Sequence, residues 1–272
     1  MSGESRAAAG RRPHGAWRAA GRLLPVLFLL GIWEALTRAN LLDRSFLPTV
    51  TSILAAIADL VRGGDIAANL FTSLFRNFAG LALGVAAGVA VGVAMATWAA
   101  ADGFFGPLVA VTYSLPKSAL VPLFLLWFGI GTITDIATVF LACLLPMVVH
   151  TYQGIKGVPS VLVWSARAMG TPSARLLRRV MIPAALPLIL TGARIALGFS
   201  FVLTISAEMI ASTDGIGKLI FMYGENGSYN YMFAAISVVV AVAYGADRGL
   251  LAGMRVLLRW HEFGHHEAEE AV

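Results

Sequence analysis

The segment Trp164–Pro187, WSARAMGTPSARLLRRVMIPAALP, decides the fold, because it is a short basic stretch between long apolar runs. Gly170 suits the position just past a helix, where glycine adopts a positive φ without steric cost. Thr171 is then expected to cap a second helix that has Pro172 at its first position and ends at Pro183. The pattern predicts two short helices outside a membrane, joined rigidly to the next apolar run. Four arginines keep the segment in water: Arg167, Arg175, Arg178 and Arg179.

The composition is that of a membrane protein. The 272 residues are 58% hydrophobic and 13% charged, whereas a soluble chain is typically about 25% charged. The net charge of +5 does not indicate nucleic-acid binding, because the basic residues cluster beside apolar runs, as in cytoplasmic loops. The single cysteine, Cys143, cannot form an internal disulfide and is expected to be a packing residue.

Six apolar stretches are predicted to form helices that cross a bilayer, for which a helix needs about 20 residues. We therefore predict an all-α integral membrane protein with about six transmembrane helices. A signal peptide is the alternative for the first stretch, but Trp33 and Glu34 stand where small residues would mark a cleavage site. Residues 40–76 are expected to form an amphipathic helix at the outer surface. The six stretches are Leu23–Leu36, Phe78–Ala101, Phe104–Gly129, Ile133–Val149, Leu186–Ile205 and Met232–Ala246.

The distribution of charge predicts the topology. Lysine and arginine are dense in residues 1–22, in residues 156–179 and after the last apolar stretch, whereas the loops at 37–76 and 206–231 are nearly balanced. By the positive-inside rule, both termini and the basic two-helix segment are cytoplasmic. An even number of spans is required for that arrangement, and six satisfies it.

Glycine recurs at every fourth residue of the second apolar stretch, at Gly80, Gly84, Gly88 and Gly92. This spacing places the four glycines on one face of a helix, where another helix can approach closely. The helix that approaches this face could belong to a second copy or to the same chain, and we expect it to belong to the same chain.

Two basic residues inside apolar stretches are candidates for a transport pathway. Lys117 lies between Pro116 and Pro122, and it either faces a pathway or lies near the cytoplasmic interface. Arg194 follows Pro187 by about two helical turns. It could pair with an acidic residue of a neighbouring helix, face the pathway or reach the headgroups, and the headgroup position is slightly favoured.

The basic segment resembles the signature loop of inner-membrane permeases of ATP-binding-cassette importers, of the type-1 binding-protein-dependent transport family. That loop reads Glu-Ala-Ala, three residues, Gly, nine residues, Ile, any residue, Leu-Pro; here Trp164 occupies the glutamate position. The stretches FLPTVTSILAAI, SLPKSALVPLFLLWFGIGT and AEMIASTDGIGKLI are similar to the branch that imports sulfonates, taurine and nitrate, so the resemblance covers Ile32–Trp260. The residues at the matching positions are Ser165, Ala166, Gly170, Val180, Ile182 and Pro183.

The resemblance implies a pore subunit that is not an enzyme, in the bacterial inner membrane. Its implied partners are a pair of cytoplasmic ATPase subunits, which hold ATP and Mg²⁺, a periplasmic or lipid-anchored solute-binding protein, and a second permease copy. No cofactor is expected in this chain itself. The implied division is a basic tail (1–22), a first span with an outer amphipathic segment (23–66), a permease core (67–256, with an ATPase-coupling loop at 158–187) and a cytoplasmic tail (257–272).

Other functions fit the residues less well. A DNA-binding helix-turn-helix at residues 161–180 would be clamped between spans, and a membrane-embedded enzyme would need acidic or nucleophilic clusters. We expect no carboxylate pair in the spans. An ion-coupled secondary transporter is the alternative, but no half-to-half similarity is seen. No Walker A string occurs, and the tail histidines His261, His265 and His266 are expected to be solvated rather than metal ligands.

Overall fold

The structure is a computed structural model that describes residues 14–41, 43 and 46–260, with side chains from Leu24 onward. Within those ranges every regular element is helical, as the sequence predicts. The basic tail up to residue 13 and the three tail histidines lie outside the described residues. In chain order the helices are α1 (His14–Arg38), α2 (Val50–Gly63), α3 (Asp65–Thr97), α4 (Ala99–Tyr113), α5 (Val121–Phe128), α6 (Thr132–Lys156), α7 (Ser160–Ala168), α8 (Ser173–Leu176), α9 (Ile182–Ala211), α10 (Ile216–Glu225) and α11 (Tyr229–Leu257).

Four helical segments of the described chain are long and apolar enough to cross a membrane: α3, α6, the continuous segment Ser173–Ala211, and α11. The pair α4 and α5 would make a fifth, bent by 97° where Pro116 adopts an extended conformation before a short 3₁₀ turn at Lys117–Leu120. The expected stretch Phe104–Gly129 is therefore a broken helix. The sixth span would be α1, so the count of six stays a prediction.

Residues 40–76 do not form one amphipathic helix at the surface. Helix α2 ends at Gly63, Gly64 adopts a left-handed conformation with φ of 79°, and α3 begins at Asp65. One face of α2 is buried through Ile53 and Leu60 in a cluster with α10 and α11. Because α3 starts at Asp65, Arg76 belongs to a 33-residue spanning helix rather than to an outer segment.

The four-residue glycine repeat of α3 lies against α6. A Cβ atom added at Gly80, Gly84 or Gly92 would lie 2.6, 2.7 or 2.6 Å from a Cβ atom of α6, and one at Gly88 would overlap Met147. Real Cβ atoms do not approach so closely, so only glycine permits this separation of the two backbones. The facing residues of α6 also recur at every fourth position: Val139, Cys143, Met147 and Thr151.

Arg76 joins three spanning helices at one end of the bundle. Its side chain is 3% exposed, and Nη1 lies 3.3 Å from both Asp135 Oδ2 of α6 and Glu208 Oε1 of α9. Nη2 lies 2.6 Å from Asp214 Oδ1 in the loop after α9. Nε and Nη2 also donate hydrogen bonds to Thr132 Oγ1 at 3.1 and 3.0 Å. The expectation that the spans hold no carboxylate pair is therefore wrong, because Asp135 and Glu208 share one guanidinium.

The loop after α9 and the first turn of α10 close over Glu208. Gly217 N donates a hydrogen bond of 2.9 Å to Glu208 Oε2, and Ser73 Oγ donates one of 2.7 Å to the same oxygen. A Cβ atom at Gly215, whose φ is 101°, would lie 2.5 Å from Glu208 Cδ. The carboxylate is 0% exposed, so its charge is balanced by these donors and by Arg76 rather than by water.

Replacing Gly84 or Gly88 with leucine should force α3 away from α6. The leucine side chain would need space that Cys143 or Met147 occupies, so the thermal melting temperature of the detergent-purified permease should fall by at least ~5 °C, or folded protein should not be recovered. Gly103→Leu on α4 is the matched control, because a Cβ atom there meets nothing within 4 Å. Unchanged melting of both test variants would contradict this packing.

Removing the Arg76 charge should destabilise the fold more than any exposed arginine does. Arg76→Leu leaves two buried carboxylates without a cation, a change that costs on the order of 3–5 kcal/mol. Arg62→Leu, on the exposed end of α2, is the control. The triple variant Arg76→Leu, Asp135→Asn, Glu208→Gln should recover part of the loss. A melting temperature for Arg76→Leu equal to that of Arg62→Leu would show that the cluster does not hold the helices.

Candidate functional site

The basic segment contains the helix, turn and helix that its sequence predicts. Helix α7 ends in a Schellman motif: Thr171 N donates to Ala166 O at 3.1 Å, and Gly170 N donates to Arg167 O at 2.9 Å. Gly170 has a φ of 73°, as expected for the residue after the helix C-cap. A Cβ atom there meets nothing within 4 Å, so the requirement for glycine comes from the backbone conformation alone.

Two local expectations for this segment are wrong. The N-cap of α8 is Pro172 rather than Thr171, and its carbonyl accepts hydrogen bonds of 2.9 Å from the backbone N–H groups of Arg175 and Leu176. Pro183 does not end the second helix, because it lies in the first turn of α9. A π-helical turn, Leu177–Met181, precedes it. The wider turn lets the helix continue past a residue that has no N–H group.

The outer face of the segment is apolar and basic. Trp164 and Met169 are 67% and 78% exposed, and the four arginines of the same segment are also exposed. The inner face is closed, since Ala166 and Leu176 are 5% and 3% exposed. An exposed tryptophan beside a methionine and several arginines has the composition of a protein-contact surface.

The signature-loop positions lie on both sides of the turn. Ser165 is exposed on α7, whereas Val180, Ile182 and Pro183 are half-buried around the start of α9. Helix α9 is in turn held on α6: a Cβ atom at Gly192 would lie 2.6 Å from His150 Cβ, and one at Gly154 would lie 3.2 Å from the Ala185 carbonyl oxygen. Helix α8 is therefore continuous with a helix, α9, that is packed closely on α6.

Arg194 is paired with an acidic residue of the last spanning helix. Its Nε and Nη2 atoms donate hydrogen bonds of 2.7 and 3.2 Å to the two carboxylate oxygens of Asp247. Along α9, Arg194 has apolar residues on both sides, whereas Asp247 directly follows the apolar stretch of α11 and precedes Arg248. Of the three alternatives for Arg194, pairing with an acidic residue of a neighbouring helix is therefore observed, and its position at the pathway or at the headgroups stays a prediction.

A cavity of about 800 Å³ lies between α9 and α11 and is open along the surface of the single chain, with the ion pair in its wall. Its remaining wall is almost entirely apolar and includes Leu197, Phe201 and Val240. Lys117 is not part of this wall. Its Nζ donates a hydrogen bond of 2.8 Å to the carbonyl of Tyr113 and lies 5.0 Å from the centre of that ring, so it caps the end of α4.

The sequence alone did not identify the acidic partners of Arg76, which is buried, or of Arg194, which is half-buried. Asp247 directly follows the apolar stretch expected to end at Ala246, but α11 continues to Leu257. The apolar residues Leu250, Leu251 and Val256 after Asp247 were the available signal that the helix goes on. Asp135 and Glu208 stand at the edges of apolar stretches, and nothing in their spacing indicates that they meet Arg76.

Comparison with known proteins agrees with this architecture. Residues 80–248 match the family described as "Binding-protein-dependent transport system inner membrane component". The chain is 32% identical to the taurine transport system permease protein TauC of Escherichia coli (strain K12), over 86% of each chain. It is 32% identical to the putative aliphatic sulfonates transport permease protein SsuC of the same strain, over 91% of this chain and 94% of the relative. A Bacillus subtilis (strain 168) protein described in the same words is 29% identical, over 92% and 90%.

A solved structure shares the fold. The chain superposes on an inward-facing conformation of the MetNI methionine ABC transporter with a TM-score of 0.62, at 18% identity, over 70% of this chain and 95% of that chain. The family match excludes the alternative of a secondary transporter without an ATPase partner. The chain belongs to the binding-protein-dependent transport system inner membrane component family and is the membrane-embedded, non-enzymatic permease subunit of an ATP-binding-cassette importer, which works with a separate ATPase and a solute-binding protein.

Proposed function

We propose that this permease, as a homodimer in the bacterial inner membrane, forms the pathway for a small organic sulfonate. The main support is that relatives described as aliphatic sulfonate and taurine permeases align over 86% or more of this chain. The charge distribution supports cytoplasmic termini. We assign residues 67–256 to the permease core, which lies in the chain between an outer amphipathic segment and a cytoplasmic tail. Sulfonate, taurine and nitrate all carry a compact anionic group, and Arg194 and Lys117 are the cations that could attract it.

The coupling loop, residues 158–187, is proposed to receive the ATPase. Ser165, Ala166 and Gly170 would position α7 in a cleft of the partner, while Val180, Ile182 and Pro183 join it to α9. ATP and Mg²⁺ would bind between two ATPase subunits, and their closure would draw the α7 helices of two permease copies together. Because α8, the π-helical turn and α9 form one continuous helix of 39 residues, that movement would reorient the spans and open the pathway outward.

Trp164 would change the chemistry of this contact rather than remove it. A glutamate at this position offers a charge to a basic partner residue, whereas the tryptophan, 67% exposed, offers a large apolar surface. Buried aromatic residues often dominate the binding energy of protein interfaces. The cognate ATPase is therefore expected to present an apolar pocket opposite Trp164, with acidic residues facing the surrounding arginines.

Gly170→Val should weaken ATPase binding while the spans stay folded. A side chain at a φ of 73° costs about 1–2 kcal/mol, and a β-branched residue tolerates that conformation poorly, so α7 should leave its position. Gly170→Asn is the matched control, because asparagine adopts positive φ most readily after glycine. Co-purification of the ATPase and uptake should fall together for valine and persist for asparagine. Equal retention of the ATPase by both variants would place the docking site elsewhere.

Sulfonate import should require the whole assembly. A strain that lacks its own sulfonate permeases, given this chain with its cognate ATPase and binding protein, should grow on an alkanesulfonate or taurine as the sole sulfur source. Omitting the ATPase should abolish growth, and the purified permease alone should hydrolyse no ATP. Failure to grow on every sulfonate, with the assembled complex present in the membrane, would contradict the proposed substrate class.

A further inference from the structure

We propose that the cavity between α9 and α11 is a binding site for the substrate within the permease, and that it selects alkanesulfonates by their carbon chain. The sulfonate group would lie at Arg194 and the chain against Leu197, Phe201 and Val240. The inference rests on the proposed function, because it assigns a place in this subunit to the substrate class named there.

The ion pair indicates which way this face of the subunit is turned. In the single chain the Arg194 and Asp247 side chains are 49% and 29% exposed, and Arg194 has apolar residues on both sides in a helical segment long enough to cross a membrane. Charged side chains within such a segment face the interior of a bundle or a water-filled cavity, because exposure to hydrocarbon is costly. The α9–α11 face is therefore turned to the translocation pathway, and the cavity opens there rather than to lipid.

The wall of the cavity matches an anion that carries an apolar chain. A volume of about 800 Å³ lies within the usual range of small-molecule sites, roughly 300–1,000 Å³. Arg194 presents a planar guanidinium whose geometry suits sulfonate oxygens, and Asp247 holds it in place. The ammonium of taurine, two carbons from its sulfonate, would have to share the Asp247 carboxylate, whose two oxygens already accept hydrogen bonds from Arg194, and beyond it would lie against apolar side chains such as Phe201, where it loses hydration. The carbon chain of an alkanesulfonate would gain burial at the same position.

Cysteine labelling in native membranes tests this assignment. Val240, 62% exposed in the single chain, is replaced by cysteine in a Cys143→Ala background, so the introduced thiol is the only one in the permease. The reagent is 2-sulfonatoethyl methanethiosulfonate, which is anionic and does not dissolve in lipid. Leu83→Cys, on α3 and 55% exposed, is the control outside the cavity.

We expect Val240→Cys to react and Leu83→Cys to remain unlabelled. Hexane-1-sulfonate should slow the reaction at Val240→Cys about tenfold at a concentration where taurine slows it little. The double variant Arg194→Gln, Asp247→Asn keeps a neutral hydrogen-bonded pair and so should fold, but it should lose the protection by hexane-1-sulfonate. Retention of the labelled permease at wild-type level in the membrane verifies folding.

Three outcomes would overturn the site. No reaction at Val240→Cys would mean that lipid or a second copy covers the face. Reaction without protection would make the cavity a pathway wall that holds no substrate, and equal protection by taurine would exclude selection by the carbon chain. Sulfonate-dependent growth of the complete transporter is measured in parallel. If the strain does not grow on sulfonates, the proposed function is wrong. If it grows but hexane-1-sulfonate does not protect Val240→Cys, only the binding site in the cavity is wrong.

Discussion

The spanning helices depend on one buried guanidinium. Arg76 contacts carboxylates from α6, from α9 and from the loop between α9 and α10, and its side chain is 3% exposed. Such a cluster is stable only while every charge keeps its partner, since an unpaired carboxylate in this environment costs several kcal/mol. The cluster therefore defines one relative position of α3, α6 and α9, and the loop that closes over Glu208 is tied to the same position.

The glycine contacts extend this constraint along the helices. The strip from Gly80 to Gly92 keeps α3 against α6, and Gly154 and Gly192 keep α6 close to α9 near the basic segment Trp164–Pro187. Close packing transmits displacement as a rigid body rather than dissipating it. If α7 and α8 receive the ATPase as proposed, this rigidity would carry their movement into α9 and α6.

The α9–α11 face differs from these close-packed contacts. It keeps a cavity and a half-exposed ion pair between Arg194 and Asp247, whereas the α3–α6 contact has no space for a single methyl group at the glycine positions. A transport subunit needs both kinds of surface: a rigid unit to carry the motion, and a loosely packed face where a solute can lie. Helix α9 belongs to both, so it connects the proposed coupling loop to the proposed site.

The sequence by itself determined the helical membrane fold, the turn at Gly170 and the permease family, because these depend on apolar runs, on local backbone preferences and on the order of short motifs. It also indicated that another helix packs closely on the glycine face of α3, since a four-residue repeat places its members on one side of a helix. Only the tertiary structure decided that Arg76 is buried with Asp135 and Glu208, that Arg194 pairs with Asp247, and that Pro183 continues a helix through a π-helical turn. Those features join residues far apart in the chain or depend on how neighbouring helices pack, and neither is encoded in local spacing.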